Sequence, residues 1–266
     1  MNSIIIGQYV PGDSIIHRMD PRTKITIIFF FIFIVFFANN VTSYGLLVVF
    51  AALSVFLSKV PLQFIAKGLT PIWFLVAFTF ILHLFVTKEG ELFFDFWIFE
   101  FYTGGVMQGL AISVRFFLLI LVTSLLTLTT TPMEITDAIE DMLRPLNKVK
   151  FPVHELALMM SISLRFIPTL MQETEKISKA QASRGVDFKN GPIKARIKAV
   201  VPLLVPLFVS AFKRAEELAM AMEARGYQGG YGRSKLRQLQ IGKIDIMVYL
   251  VFIAVIAGLF LTRTYG

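Results

Sequence analysis

Residues 25–38 read ITIIFFFIFIVFFA, an uncharged run whose single hydroxyl is Thr26. It is entered through His17, Arg18, Arg22 and Lys24 and left through the polar turn Asn39, Asn40, Val41, Thr42 and Ser43. A second apolar run, Tyr44 to Leu57, follows at once and, with its flanks, approaches the roughly 20 residues that a helix needs to cross hydrocarbon. The two runs predict a helical hairpin in a bilayer. Working outward, Lys59, Pro61 and Lys67 mark a short basic connection, and a third span is predicted from about Leu69 to Val86, interrupted by His83. A fourth covers Val106 to Thr130, and a fifth Ile244 to Leu261, close to Arg263.

The whole composition agrees with this reading. The 266 residues are 56% hydrophobic with a mean hydropathy of +0.70, far more apolar than a soluble chain of this length. Charged residues make up only 17%, yet the net charge is +8, so the cations are concentrated in particular segments. Residues 131–243 hold about 18 of the 26 Lys and Arg against about 11 carboxylates. By contrast, Lys88 to Gly105 carries Glu89, Glu91, Asp95 and Glu100 among Phe, Trp97 and Tyr102, a composition suited to the non-cytoplasmic interface. The positive-inside bias then places the N-terminus, residues 58–68 and residues 131–243 in the cytoplasm, in a multi-pass protein of the cell membrane. The first run lacks a small-residue cleavage site and is read as retained rather than as a signal peptide. Nucleic-acid binding is set aside, because it calls for a soluble domain with a basic face. The chain has no cysteine, which removes disulfides and thiolate chemistry.

The predicted organisation is all-α. Residues 1–130 form an N-terminal membrane domain of about four spans, residues 131–243 a cytoplasmic or membrane-surface domain, and residues 244–266 the last transmembrane helix. Within the middle segment, Met133 to Leu146 has amphipathic spacing, with Ile135, Ile139, Met142, Leu143 and Leu146 on one side and Glu134, Asp137, Glu140 and Asp141 on the other. Thr131 and Pro132 signal its start, and Pro145 limits its end. Val153 to Leu170 is apolar, Pro168 is expected to break the helix there, and a polar helix follows from Gln172 to Ser183. The same succession returns in Ala199 to Phe212, with Pro202 and Pro206, and then in the charged, alanine-rich Lys213 to Ala224.

Superimposing the two polar ends exposes a repeat. Glu175 matches Glu216, Ile177 matches Leu218, Ala180 matches Ala221, Arg184 matches Arg225 and Gly185 matches Gly226. Each copy finishes with a small residue, Arg and Gly: Ser183, Arg184, Gly185 and Ala224, Arg225, Gly226. Helix termination explains the glycine, which supplies the left-handed conformation of a C-cap, and any Lys, Arg or His in the last turn would complement the dipole. Capping does not require a matched triplet. A binding tip does: a small side chain permits close approach, a guanidinium fork engages a carboxylate, and Gly ends the helix so that its tip fits a groove. The alanines at 211, 215 and 219 add a small-residue stripe suited to a close helix crossing.

Taken together with Asp20-Pro21-Arg22-Thr23-Lys24 before the first span and Leu164-Arg165-Phe166-Ile167-Pro168 ahead of the first polar helix, these paired motifs resemble the transmembrane T component of energy-coupling factor (ECF) transporters, over nearly the whole chain. The resemblance implies an importer of the ABC type, in which the T component joins two cytoplasmic ABC-type ATPases to a substrate-binding S component in the membrane. The two polar helices would be coupling helices, with Arg184 and Arg225 each meeting an acidic residue in the groove of one ATPase and Gly185 and Gly226 permitting the helix tip. Micronutrient uptake, of a vitamin in the first instance and of a metal ion in the narrower case, is the implied task.

Features that would indicate catalysis in this chain are missing from the sequence. There is no G-x-x-x-x-G-K-[ST] loop, and Gly226 to Gly232 follows a helix rather than a strand and lacks the Lys-Ser/Thr pair. His17, His83 and His154 are scattered without metal-ligand spacing. No catalytic residue, cofactor or metal is expected, and a membrane enzyme, which calls for clustered acids, bases or nucleophiles at the interface, is disfavoured. An autonomous secondary transporter or channel is the alternative, but it calls for ionisable residues in several spans and broken helices meeting at mid-membrane. Arg115 near the start of the fourth span and Arg165 in an apolar run fit snorkelling or internal pairing as well as function.

Overall fold

The computed structural model describes residues 9–96, 99–186, 192–229 and 239–265. Trp97 and residues Gly230 to Gly232, singled out above, lie outside the described residues. The elements in chain order are α1 (Ile15–Arg18), α2 (Pro21–Val35), α3 (Val41–Ser58), α4 (Leu62–Val86), β1 (Leu92–Phe96), β2 (Phe99–Tyr102), α5 (Thr103–Thr129), α6 (Pro132–Leu143), a 3-10 helix (Arg144–Val149), α7 (Val153–Ser183), α8 (Ile193–Ala224) and α9 (Lys243–Tyr265). They fall into two compact units, one of Met1–Ala138 with Gln238–Gly266 and one of Ile139–Arg237.

The first unit packs α2, α3, α5 and α9 around a dry core in which Phe31, Val35, Leu47, Leu118, Leu128 and Leu259 are fully buried, with Ile65, Leu69 and Ile72 of α4 joining it. Outward-facing positions are as apolar as the core, as in Phe56 and Phe74, respectively 81% and 78% exposed. That inversion suits a hydrocarbon surround.

The sequence Asp20 to Lys24 works here as a fastener. Asp20 caps α2, accepting from the Arg22 amide at 2.9 Å, and pairs with the Arg22 guanidinium at 2.7 Å. Its own N–H donates to Asp245 at 2.9 Å, while the other oxygen of Asp245 accepts from the Gly242 N–H at the start of α9. Lys24 is buried and donates to the Thr129 carbonyl and the Thr130 hydroxyl, both at 3.0 Å, occupying carbonyl capacity at the C-terminus of α5 that the helix itself cannot satisfy. Three helix ends are thereby tied by one pentapeptide.

Arg115 of α5 is likewise internally held. It donates to the Ala38 carbonyl at 3.3 Å and to the Tyr44 hydroxyl at 2.9 Å, and its guanidinium lies 5.2 Å from the Phe36 ring centroid. It anchors α5 to the turn between α2 and α3. Arg165 is exposed.

Span lengths differ in detail from the sequence expectation. Among the described residues, four helices are long and apolar enough to cross a membrane, α3, α5, α7 and α9 (the last over Lys243–Arg263), and α4 makes a fifth if its two parts, bent by 54°, count as one span. The bend separates Leu62–Thr70 from Ile72–Val86, so it falls at Pro71, which has no N–H to give to the helical ladder. The run at 25–38 becomes α2, only 15 residues, because the chain turns at Phe36 to Ala38 to begin α3. In exchange α7 qualifies at a mean hydropathy of 1.2, against 2.7 for α9.

Helices α4 and α5 approach closely at Gly105 and Gly109. A Cβ on Gly105 would lie 3.0 Å from the carbonyl oxygens of His83 and Thr87, and one on Gly109 would lie 3.2 Å from Phe80. This small-x-x-x-small pair lets two helix backbones touch. Between them, the acidic segment holds a hairpin in which β1 and β2 pair antiparallel, Asp95 opposite Glu100 and Phe96 opposite Phe99. Apart from this hairpin, the elements among the described residues are helical.

Helix α6 starts with a capping box, Thr131 N–H to the Glu134 carboxylate at 3.0 Å and Glu134 N–H to the Thr131 hydroxyl at 3.3 Å. It ends at Leu143, where the chain tightens to a 3-10 helix with Pro145 in its first turn. In the second unit, the expectation that Pro168 breaks the helix is corrected: α7 runs unbroken through it for 31 residues, and α8 runs through Pro202 and Pro206 for 32. A proline removes one ladder bond, and packing of α7 against α8 keeps the rest.

Candidate functional site

The two tips predicted from the repeat close in the same way. Arg184 and Arg225 are the C-cap residues, with φ, ψ of -87°, 6° and -90°, 7°. Gly185 and Gly226 follow at φ +84° and +73°. In the first tip the Gly185 N–H donates to Ala182 and the Val186 N–H to Gln181; in the second the Gly226 N–H donates to Glu223 and the Tyr227 N–H to Met222. Both are Schellman closures, bond for bond. A Cβ on either glycine would meet nothing within 4 Å, so glycine is required by its conformation and not by crowding.

Closure accounts for the glycines but leaves the arginines unused. Arg184 and Arg225 are both exposed, and neither side chain has an ion-pair partner among the described residues. The cap asks nothing of a guanidinium beyond its charge. The remaining difference between the tips disappears on inspection, because the Ser183 hydroxyl donates back to the Lys179 carbonyl at 3.1 Å. It therefore presents little more than the Ala224 methyl does.

The helices bearing these tips lie antiparallel. About two-thirds of the way along each helix, the Glu173 carboxylate accepts from the Ser210 hydroxyl at 2.6 Å and from the Arg214 guanidinium at 3.0 Å. Towards the end of α7, Gln181 donates to the Pro202 carbonyl. On the other side, an open cleft of ≈ 280 Å³ is lined by Ile162, Phe166 and Leu170 of α7 and by the alanine stripe 211, 215 and 219, with Leu218 and Met222 of α8. The small side chains on one helix face large ones at the same four-residue period on the other, which brings the axes together. Arg184 and Arg225 are not brought together; they sit at opposite ends of the pair.

A family model described as "CbiQ: Cobalt transport protein" matches residues 12–236. An energy-coupling factor transporter transmembrane protein of Bacillus subtilis (strain 168) is 62% identical over 263 residues, covering 99% of both chains. Proteins of the same name from Listeria innocua and Brevibacillus brevis are 53% and 49% identical, and 97% and 96% of this chain is covered. The chain belongs to the energy-coupling factor transporter transmembrane proteins. As a member of that family it is a multi-pass membrane component of such a transporter, and its relatives are named as transporter components.

Sequence reading located the tips because a triplet repeated at a constant spacing stands out without knowledge of the fold. It missed the Glu173–Arg214 contact, the Gly105–Gly109 approach and the partners of Lys24. Gly105-x-x-x-Gly109 in an apolar run was the one signal available for these.

Proposed function

We propose that this subunit transmits nucleotide-driven movement from two cytoplasmic ABC-type ATPases to a substrate-binding S component in the membrane. Ser183, Arg184 and Gly185 dock into one ATPase, and Ala224, Arg225 and Gly226 into the other. The observation that carries this reading is the pair of matched Schellman tips whose exposed arginines have no ion-pair partner among the described residues. Each arginine meets a carboxylate in its ATPase groove, since a fork of donors matches a carboxylate bidentately. ATP hydrolysis then belongs to the partners, the N-terminus and the two coupling helices face the cytoplasm, and lipid or the S component covers the outward apolar side chains. The cargo is a micronutrient, a vitamin in the first instance. The word cobalt in the family description supports a metal ion as the second reading.

The test is co-purification and substrate-dependent uptake with Arg184→Ala, Arg225→Ala and the double variant, each expressed with the ATPases and S component. The expected result is weakened association for each single variant and loss of ATPase and uptake for the double, with the subunit still folded in the membrane. Normal assembly and uptake by the double variant would reduce the tips to helix caps. Competition by vitamins or by Co²⁺ in the same uptake assay separates the two cargo readings.

A further inference from the structure

The sequence repeat and the tertiary contact share one number. Arg225 follows Arg184, and Gly226 follows Gly185, by forty-one residues. Arg214 follows Glu173 by the same forty-one. The ion pair at the middle of the α7–α8 contact is therefore formed by equivalent positions of the two copies. When two equivalent segments lie antiparallel, the only equivalent residues that meet are those on the two-fold axis relating them. Glu173 and Arg214, being equivalent, straddle that axis.

Contacts on both sides run antiparallel about a point near Met171 and Phe212, within a turn of the pair. Gln181 reaches Pro202 on one side, and Ile162 and Phe166 share a cleft with Leu218 and Met222 on the other. From the axis each arm runs twelve residues to its glycine, Glu173 to Gly185 and Arg214 to Gly226. At 1.5 Å per residue each arm is about 18 Å long, and the tips stand up to about 36 Å apart. Neither arm contains a proline beyond the axis, since the internal prolines, Pro168, Pro202 and Pro206, all precede it. The arms are proline-free and of equal length, and the charged contact between them is the Glu173–Arg214 pair.

We infer that the Glu173–Arg214 pair, with the Ser210 hydroxyl, is the fulcrum of the two coupling helices, a positioning contact that keeps the tips equidistant and converts displacement of one into displacement of the other. The inference rests on the reading of the tips as ATPase contacts. The chemistry suits the task. Apart from Arg214 itself, the cleft beside the pair is lined by alanine, aliphatic and Phe166 side chains, whose contacts have no strong directional preference. A hydrogen-bonded ion pair has a defined geometry. With side chains 33% and 25% exposed, it contributes little to folding stability, so its removal leaves the helices intact.

Being formed by equivalent positions that straddle the axis, the pair should tolerate exchange of its members, which an asymmetric contact would not. Glu173→Arg with Arg214→Glu reverses the polarity of the bond at the same point. The hydroxyl acceptor relation is preserved too, because Thr169 stands forty-one residues before Ser210. The experiment uses the complete transporter, with both ATPases and the S component in proteoliposomes. It measures assembly, ATP hydrolysis, uptake per ATP, and the distance between spin labels at Lys179→Cys and Met220→Cys.

For Glu173→Gln and for Arg214→Gln the expected result is normal assembly and continued hydrolysis, uptake per ATP lowered by roughly fivefold or more, and a broadened label distance. The exchanged double variant should restore both the ratio and the narrow distance. Unchanged uptake per ATP in the single variants would overturn the inference. So would failure of the exchange to rescue, or loss of assembly in the single variants. The tip reading fails differently, through Arg184→Ala and Arg225→Ala variants that leave the ATPases attached.

Discussion

Two sets of cations divide the molecule by what they touch. In the membrane unit, Lys24 is buried and Arg115 half-buried, and both are hydrogen-bonded to carbonyls and hydroxyls of their own chain. Arg184 and Arg225, on the helical arms, are exposed and have no ion-pair partner among the described residues. A buried cation must be satisfied internally, because hydrocarbon offers it nothing. A cation at a solvated helix tip carries no such requirement and is available to another molecule. Placing a charge in a membrane protein thus distinguishes scaffolding from recognition before any partner is known.

Substitutions sharpen that contrast, and the largest effect is expected at the buried end. Lys24→Met removes two charge-assisted hydrogen bonds and leaves the C-terminal carbonyl of α5 unsatisfied. The membrane unit should lose about 2–3 kcal/mol, read as a lower unfolding midpoint in detergent. An unchanged midpoint would show that Lys24 is not a fastener. Gly105→Val forces branched carbons against the His83 and Thr87 carbonyls and should cost about 1–3 kcal/mol by overpacking, while Gly105→Ala costs less. A reversed order would point away from close packing as the reason for this glycine.

At the arms the effects become smaller and change in kind. Gly185→Ala and Gly226→Ala place a side chain at φ near +80° and should each cost about 1–2 kcal/mol of local stability, visible as faster amide exchange at Val186 and Tyr227. Asparagine at either position should recover part of the loss, since it tolerates the left-handed region; equal behaviour of Ala and Asn would contradict the Schellman account. Arg184→Ala and Arg225→Ala should change the stability of the isolated subunit by less than about 0.5 kcal/mol while weakening its assembly with the ATPases. A large loss of intrinsic stability would place these arginines with Lys24 and Arg115 after all.

Much of this was readable from composition and spacing, though unevenly. The two polar helix ends were visible because capping chemistry and helical period are local. Their continuity was not, because Pro168 is a strong local signal for a break and only the packing of α7 on α8 overrides it. The first predicted span came out as the 15-residue α2 because hydropathy records how far a run is apolar and not where the chain turns. Arg115 was ambiguous in sequence because pairing and snorkelling use the same residue. Tyr44 and the Ala38 carbonyl, which decide the matter, come from a hairpin about seventy residues earlier.

The chain by itself determined its solvent, its helical class and the existence of two matched tips, since each follows from residues within a few turns of one another. The tertiary structure decided which ends are tied, as in Asp20 to Asp245, 225 positions apart, and how the two arms run. It alone placed Glu173 against Arg214. A repeat in sequence is silent on whether its copies lie parallel or antiparallel, because orientation is a property of contacts between segments and leaves no trace in the period of either one.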